Sequence, residues 1–194
     1  MQLGIGSQRV RSHRGALSLT RRVHWHGLFL FGLSLLVVAL DQYTKWLVRK
    51  HLPLNRSWNP ITWLSSIVTL TRTQNTGAAF GLFPQMGLFL VIVPLAVVVA
   101  IIIYYRQLAA GSWMLRVALG LQLGGAVGNL VDRVCLGYVT DFLDFRVWPV
   151  FNLADSAIVV GTTLLAIYAL FLDPARKGDL EAEDEPQRGA DGEG

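Results

Sequence analysis

Residues 124–156 read GGAVGNLVDRVCLGYVTDFLDFRVWPVFNLADS, and their reading decides the fold. The stretch begins in an uncharged glycine-rich run and ends by entering another uncharged run. Between them lie Asp132, Asp141, Asp144 and Asp155. Of the 13 acidic residues in the chain, eight fall in the tail from Asp173 onward. The only other carboxylate outside that tail is Asp41. A chain that avoids carboxylates almost everywhere and then groups four of them beside apolar helices is using them.

Working outward, residues 23–40, 73–105, 117–131 and 156–172 contain no Lys, Arg, Asp or Glu. The hydrocarbon core of a bilayer is crossed by about 20 mostly apolar residues. Four such spans fit, near 27–48, 86–105, 113–132 and 151–172. Charged residues make up 15% of the 194-residue chain and mean hydropathy is +0.45, well below the charge content of soluble domains. The expectation is a single four-span bundle over 25–172, flanked by a disordered basic tail at 1–24 and a disordered acidic tail at 173–194. The segment ITWLSSIVTLTRTQ in the first loop is rich in β-branched residues and predicts one or two short strands. The fold class is therefore all-α and membrane-integral, with a small β-rich extracytoplasmic cradle in the first loop.

The basic residues are spread over tails and helix ends, with no basic helix or zinc framework. The high isoelectric point thus reflects membrane-flanking charge, and no nucleic-acid partner is expected. The N-terminal run lacks a cleavage site of small residues, which favours a retained first span over a signal peptide. Cys135 is the only cysteine, and no histidine lies near it in sequence to act as its base.

Four antiparallel spans impose a parity rule. The end of span 1, the first loop, the end of span 3, the second loop and the start of span 4 share one side. Asp41, Asn75, Asn129, Asp132, Asp141, Asn152 and Asp155 all belong to it. Ten Lys and Arg lie on the opposite side and seven on this one, so the positive-inside rule puts both termini in the cytoplasm and the polar cluster near the periplasmic face.

Asp41, Thr44 and Lys45 fall on one helical face. An intramembrane carboxylate is a functional candidate by default, and an Asp41–Lys45 structural ion pair stands beside that reading. Gly120, Gly124, Gly125 and Gly128 permit close helix packing in lipid. Asn75 to Gly81, NTGAAFG, suits a turn whose glycines, Gly77 included, allow close backbone approach. No histidine lies near Ser156, and a Ser156–Lys45 dyad is a remote alternative. Carboxylate-bound Mg²⁺ stays open, although no metal or other cofactor is expected. What remains is aspartate chemistry: two carboxylates that share a proton, one activating water and the other acting as acid. A transporter with buried proton sites is the competing class. Its mid-span polar groups and inverted repeats are not seen here.

DQYTK at 41–45, NTGAAFG at 75–81, GNLVDR at 128–133, VTDFLDF at 139–145 and FNLADSA at 151–157 resemble, in order, the motif set of signal peptidase II, the bacterial lipoprotein signal peptidase. The resemblance covers residues 27–172. It implies a four-span aspartyl endopeptidase of the bacterial inner membrane. Such an enzyme cuts diacylglyceryl-modified prolipoproteins on the N-terminal side of the lipidated cysteine and is inhibited by globomycin-type compounds. It implies Asp141 and Asp155 as the catalytic pair. Asp41, Lys45, Asn75, Gly77, Asn129, Asp132, Arg133 and Asn152 match supporting or substrate-binding positions, with Asn75 and Arg133 expected to hold the substrate backbone. The expected working form is a monomer in the lipid bilayer. Asp144 is read as a surface or loop-stabilising residue.

Overall fold

The computed structural model of the chain describes residues 12–77, 86–108 and 112–172. Four long helices dominate. Helix α1 runs over Ser12–His51, α2 over Met86–Leu108, α3 over Trp113–Leu136 and α4 over Leu153–Ile167, the last continuing as a π-helical turn at Tyr168–Leu172. All four contain a segment long and apolar enough to cross a membrane: Gly27–His51, Leu88–Tyr105, Trp113–Leu136 and Leu153–Leu172. Their outward faces are apolar too, with Leu35, Phe89, Ile103 and Val159 exposed. Helices that are hydrophobic all round belong in lipid. Helix α1 starts well ahead of its apolar segment, inside the stretch expected to be a separate tail. Residues 1–11 and 173–194 lie outside the described residues.

Helix α3 packs against both α1 and α4, and its glycines explain why it can. A Cβ at Gly124 would sit 2.6 Å from Val37 Cβ and 2.8 Å from the Ser34 carbonyl. A Cβ at Gly125 would meet the Ala154 carbonyl at 2.5 Å. Glycine at these positions lets the backbones approach where any side chain would force them apart. Leu30, Val98, Ile101, Leu119, Leu123 and Ala126 form the buried apolar core.

The polar end of the bundle carries a three-stranded antiparallel sheet. Strand β1 covers Ser57–Trp58, β2 Thr69–Asn75 and β3 Val139–Asp144, in the order β1-β2-β3. A 3₁₀ turn at Thr62–Leu64 links β1 to β2. Of the one or two strands expected over ITWLSSIVTLTRTQ, β2 lies there, while β1 precedes that segment, and the two do not make the sheet alone. The second loop, for which the sequence predicts no regular structure, supplies β3. It pairs with β2 at Thr73↔Asp141, Gln74↔Thr140 and Asn75↔Val139, then shifts register across a bulge to Leu70↔Leu143. Val139, Thr140 and Phe142 suit a strand, but the strand exists only because β2 is there to pair with it. Phe151, just ahead of α4, bonds back to Leu143, so β3 leads directly into the helix that carries Asp155.

Candidate active site

Three asparagines organise the polar end, and in each a hydrogen bond at the amide oxygen fixes which way the amide nitrogen points. Asn152 is the N-cap of α4. Its Oδ1 accepts from the Asp155 backbone N–H at 3.0 Å, while Asp155 Oδ2 accepts from the Asn152 N–H at 3.2 Å. This reciprocal capping box leaves Nδ2 free to donate to Asp141 Oδ1 at 2.7 Å. Asn75 Oδ1 accepts from Gly77 N–H at 2.9 Å, and its Nδ2 donates to Asp141 Oδ2 at 3.0 Å. Gly77 makes that turn with φ +73°, and a Cβ there would run into Leu90. Asn129 Oδ1 accepts from the Lys45 ammonium at 3.0 Å, and its Nδ2 donates to Asp155 Oδ1 at 2.7 Å. Every one of these amides therefore presents a donor to one of two carboxylates, Asp141 or Asp155.

Below the asparagines lies a buried charge network. Lys45 Nζ is 2.8 Å from Asp41 Oδ2 and 3.5 Å from Asp132 Oδ2, and Arg49 Nη1 is 3.5 Å from Asp132 Oδ1. Two cations face two anions, so the cluster is neutral overall, as burial demands. Both carboxylates also hold backbone. Asp41 Oδ1 accepts from the Ala154 N–H at 3.0 Å, one of the otherwise unsatisfied N–H groups in the first turn of α4. Asp132 Oδ2 accepts from the Thr140 N–H at 2.9 Å in β3. Gln42 Nε2 spans the two carboxylates and also reaches the Gly128 carbonyl at 3.0 Å. A Cβ at Gly128 would lie 2.7 Å from Asp41 Oδ2. Asp41 thus anchors the helix that carries Asp155, and Asp132 anchors the strand that carries Asp141.

Asp141 is 2% exposed. Burial pushes its carboxyl up to about 6 from an ordinary 3.8. The Asp155 carboxylate adds to the rise, while the Asn152 and Asn75 amides and the Lys45 charge oppose it. Beside Asp141 opens a cavity of about 410 Å³, lined by Thr73, Gln74, Asn75, Thr76, Gly77 and Val150. Arg133, half-buried at the end of α3, lies within electrostatic reach of Asp155, Asp141 and Asp132. It makes no hydrogen bond or ion pair among the described residues. None of the described His, Cys, Asp and Glu side chains forms a group of three or more able to hold a metal ion.

The family described as Signal peptidase (SPase) II matches residues 33–171, nearly the whole bundle and all of the polar end. The chain belongs to the signal peptidase II family. The lipoprotein signal peptidase of Halothermothrix orenii is 44% identical over 134 residues, covering 69% of this chain and 90% of that one. Its counterpart in Moorella thermoacetica is 45% identical over 146 residues, covering 75% and 95%. That of Bacillus subtilis is 38% identical over 154 residues, covering 77% and 97%. The fold is similar to two solved structures of bacterial membrane enzymes. One has a TM-score of 0.67 at 29% identity, covering 74% of this chain and 94% of that one; the other has 0.66 at 30%, covering 76% and 90%. Membership of a signal peptidase family makes the chain a membrane-embedded protease.

Against that family background, the residues singled out in the sequence fall into distinct places. Asp141, Asp155, Asn75, Asn129 and Asn152 form one hydrogen-bonded set. Asp41, Lys45 and Asp132 form the buried layer beneath it. Lys45, with 0% exposure, is closed off from any ligand. Thr44 does not join Asp41 and Lys45: its hydroxyl donates to the Leu40 and Asp41 carbonyls of its own helix. Asp144 stands apart, accepting from Thr71 Oγ1 at 2.8 Å and the Arg146 N–H at 2.9 Å. The Arg146 N–H and the Thr71 hydroxyl hold its carboxyl below the ordinary value. Ala78, Ala79 and Gly81 of the NTGAAFG motif lie outside the described residues. Gln42, Arg49 and Thr140 belong to the network although sequence reasoning does not single them out. Arg49 has a signal, because it continues the Asp41–Lys45 row by one further turn.

Proposed function

We propose that this chain is an aspartyl endopeptidase that removes signal peptides from diacylglyceryl-modified prolipoproteins, cutting on the N-terminal side of the lipidated cysteine. Asp141 and Asp155 are the catalytic pair. One observation carries the reading: a single residue, Asn152, binds both, donating to the Asp141 carboxylate and capping the backbone N–H of Asp155. The lipoprotein signal peptidases to which the chain is similar supply the substrate class.

In this mechanism Asp155 is the general base and Asp141 carries the shared proton below about pH 6, in keeping with the raised position of its carboxyl. Asp155 takes a proton from a water, and the water oxygen attacks the scissile carbonyl carbon. Asp141 gives its proton to the carbonyl oxygen. Collapse of the tetrahedral intermediate breaks the C–N bond: the departing cysteine amine takes the proton now on Asp155, and a hydroxyl of the intermediate returns its proton to Asp141 as the new carboxyl forms. Arg133, unpaired among the described residues, and Asn75, beside the cavity, bind substrate backbone. Asp41, Lys45, Asn129, Asp132 and Asn152 hold the pair in place. The protein works as a monomer in the inner membrane, with cytoplasmic termini, its site at the periplasmic face and the sheet as a cradle over it. Globomycin-type compounds compete for that site.

The deciding experiment is cleavage of a diacylglyceryl-modified test precursor by the purified protein, with and without globomycin, beside the unmodified precursor. Asp141→Asn and Asp155→Asn should each abolish cleavage while the protein stays folded and inserted. Turnover by either variant, or equal cleavage of both precursors, overturns the assignment.

A further inference from the structure

We infer a second binding site, behind the sheet, that holds one acyl chain of an anionic membrane phospholipid. A cavity of about 670 Å³ lies between the last two turns of α1 and the sheet, a size typical of small-molecule pockets. Leu47 and Val48 wall it from the helix, and Leu70 and Phe142 from the strands. Phe142 follows Asp141 in β3, and successive strand side chains point to opposite faces. The cavity is therefore on the far side of the strand from the carboxylate pair, and among the described residues it shares no lining residue with the cavity beside Asp141. Nothing in the proposed peptidase chemistry uses it.

Two observations select the occupant. The first is depth. On the same turns of α1, Tyr43 and Trp46 are exposed and stacked at 6.0 Å, with Lys50 Nζ 4.8 Å over the Trp46 ring. Amphipathic rings and a cation in this arrangement mark the membrane–water interface, so the cavity, lined by the same turns of α1, lies near headgroup depth. The second is charge. His51 and Arg56 line the cavity, and among the described residues no acidic one does. Arg56 is exposed, and its guanidinium forms no hydrogen bond or ion pair with the described residues.

An apolar well under an unpaired cation complements an acyl chain attached to a phosphate. A neutral diacylglyceryl group would leave the guanidinium unanswered. The corner itself is built firmly. Arg72 Nη1 donates to the Arg49 and Leu52 carbonyls at 3.1 and 3.0 Å, tying β2 to the end of α1. The well is thus already formed before a chain enters it.

The test uses the full-length protein in nanodiscs of mixed phosphatidylglycerol and phosphatidylcholine, with retained lipids counted by native mass spectrometry. The wild type should keep phosphatidylglycerol in preference to phosphatidylcholine. Arg56→Gln should cut that preference about fivefold, the weight of one cation near an anionic surface. Leu47→Trp should narrow the well and weaken retention. A measurement without any variant stands beside these: phosphatidylglycerol bearing a photoreactive acyl chain should label Leu47, Leu70 or Phe142. Equal retention of the two lipids by wild type and Arg56→Gln overturns the inference. So does label confined to bundle-surface residues such as Leu35 and Leu36, or label in the well from a diacylglyceryl-modified precursor but not from phosphatidylglycerol. Catalytic activity is not the readout, so failure here and failure of the peptidase reading are distinguishable.

Discussion

Replacing Asp141 with Asn should make the protein inactive and should improve its stability relative to the wild type as pH rises. The size of the gain follows from the site. The carboxyl of Asp141 titrates at about 6 in the folded chain and near 3.8 when unfolded. A carboxyl whose folded value is raised stays protonated in the fold while the unfolded chain has already released its proton. Folding therefore becomes less favourable as pH rises from about 4 to about 6, and the deficit is constant above that. The difference of roughly two units corresponds to about 3 kcal/mol at most. An amide in place of the carboxyl does not titrate, so the Asp141→Asn variant escapes this loss. Asn75 and Asn152 both donate to this site, so the amide Oδ1 can accept from only one of them and Nδ2 faces the other; that cost is the same at every pH and cancels when two pH values are compared. The stability of Asp141→Asn relative to the wild type should thus be greater at pH 8 than at pH 4 by about 2–3 kcal/mol. Unfolding midpoints of the two proteins in a neutral detergent, at both pH values, measure it. A difference that does not change with pH, or that shrinks as pH rises, refutes the claim that this carboxylate is held against its preference.

Two further outcomes follow from the same contacts. Asn75→Ala removes a donor that favours ionised Asp141, so the alkaline limb of kcat/KM on a lipid-modified precursor should move up from near 6. One neutral hydrogen bond limits that movement to about one unit. A limb that stays put or moves down contradicts the assignment of the proton to Asp141. Lys45→Met leaves two buried carboxylates short of a cation and should destabilise the fold by about 3–5 kcal/mol, with a second change, Asp41→Asn, restoring more than half. Strictly additive losses in that double-mutant cycle would show that the ion pair is not coupled.

The spans and the side they share were legible because they depend on local facts. Runs without charge set the helices, and parity gathered Asp41, Asn75, Asn129, Asp132, Asp141, Asn152 and Asp155 at one end with no need for coordinates. The start of α4 was legible for the same reason: a capping box is written within four residues, Asn152 to Asp155. What depended on distant pairing was not. Strand β3 exists by pairing Asp141 with Thr73, 68 positions back in the chain, and a strand of that kind has little intrinsic preference to betray it. The division of labour among the aspartates was hidden for a related reason. The sequence shows that Asp41 and Asp132 are near the site. It does not show that Asp41 accepts a hydrogen bond from the backbone of the helix carrying Asp155, or Asp132 from that of the strand carrying Asp141.

That arrangement bears on how a small bundle can position two carboxylates at one site. Asp141 sits on a strand and Asp155 on a helix, and those elements reach the site from different directions. Neither sheet nor helix alone sets their relative position. Asp132 grips the strand through Thr140 N–H, Asp41 grips the helix through Ala154 N–H, and Lys45 lies against both. The lysine is therefore the common point from which both carboxylates are located. Its ammonium also orients Asn129, whose amide meets Asp155. A buried ion cluster is weak evidence for stability, and here its geometry gives it another use. A hydrophobic replacement of Asp41, Lys45 and Asp132 could match the lost folding energy. It would leave the first turn of α4 and the start of β3 each with an N–H group unanswered, and the two carboxylates without a shared reference.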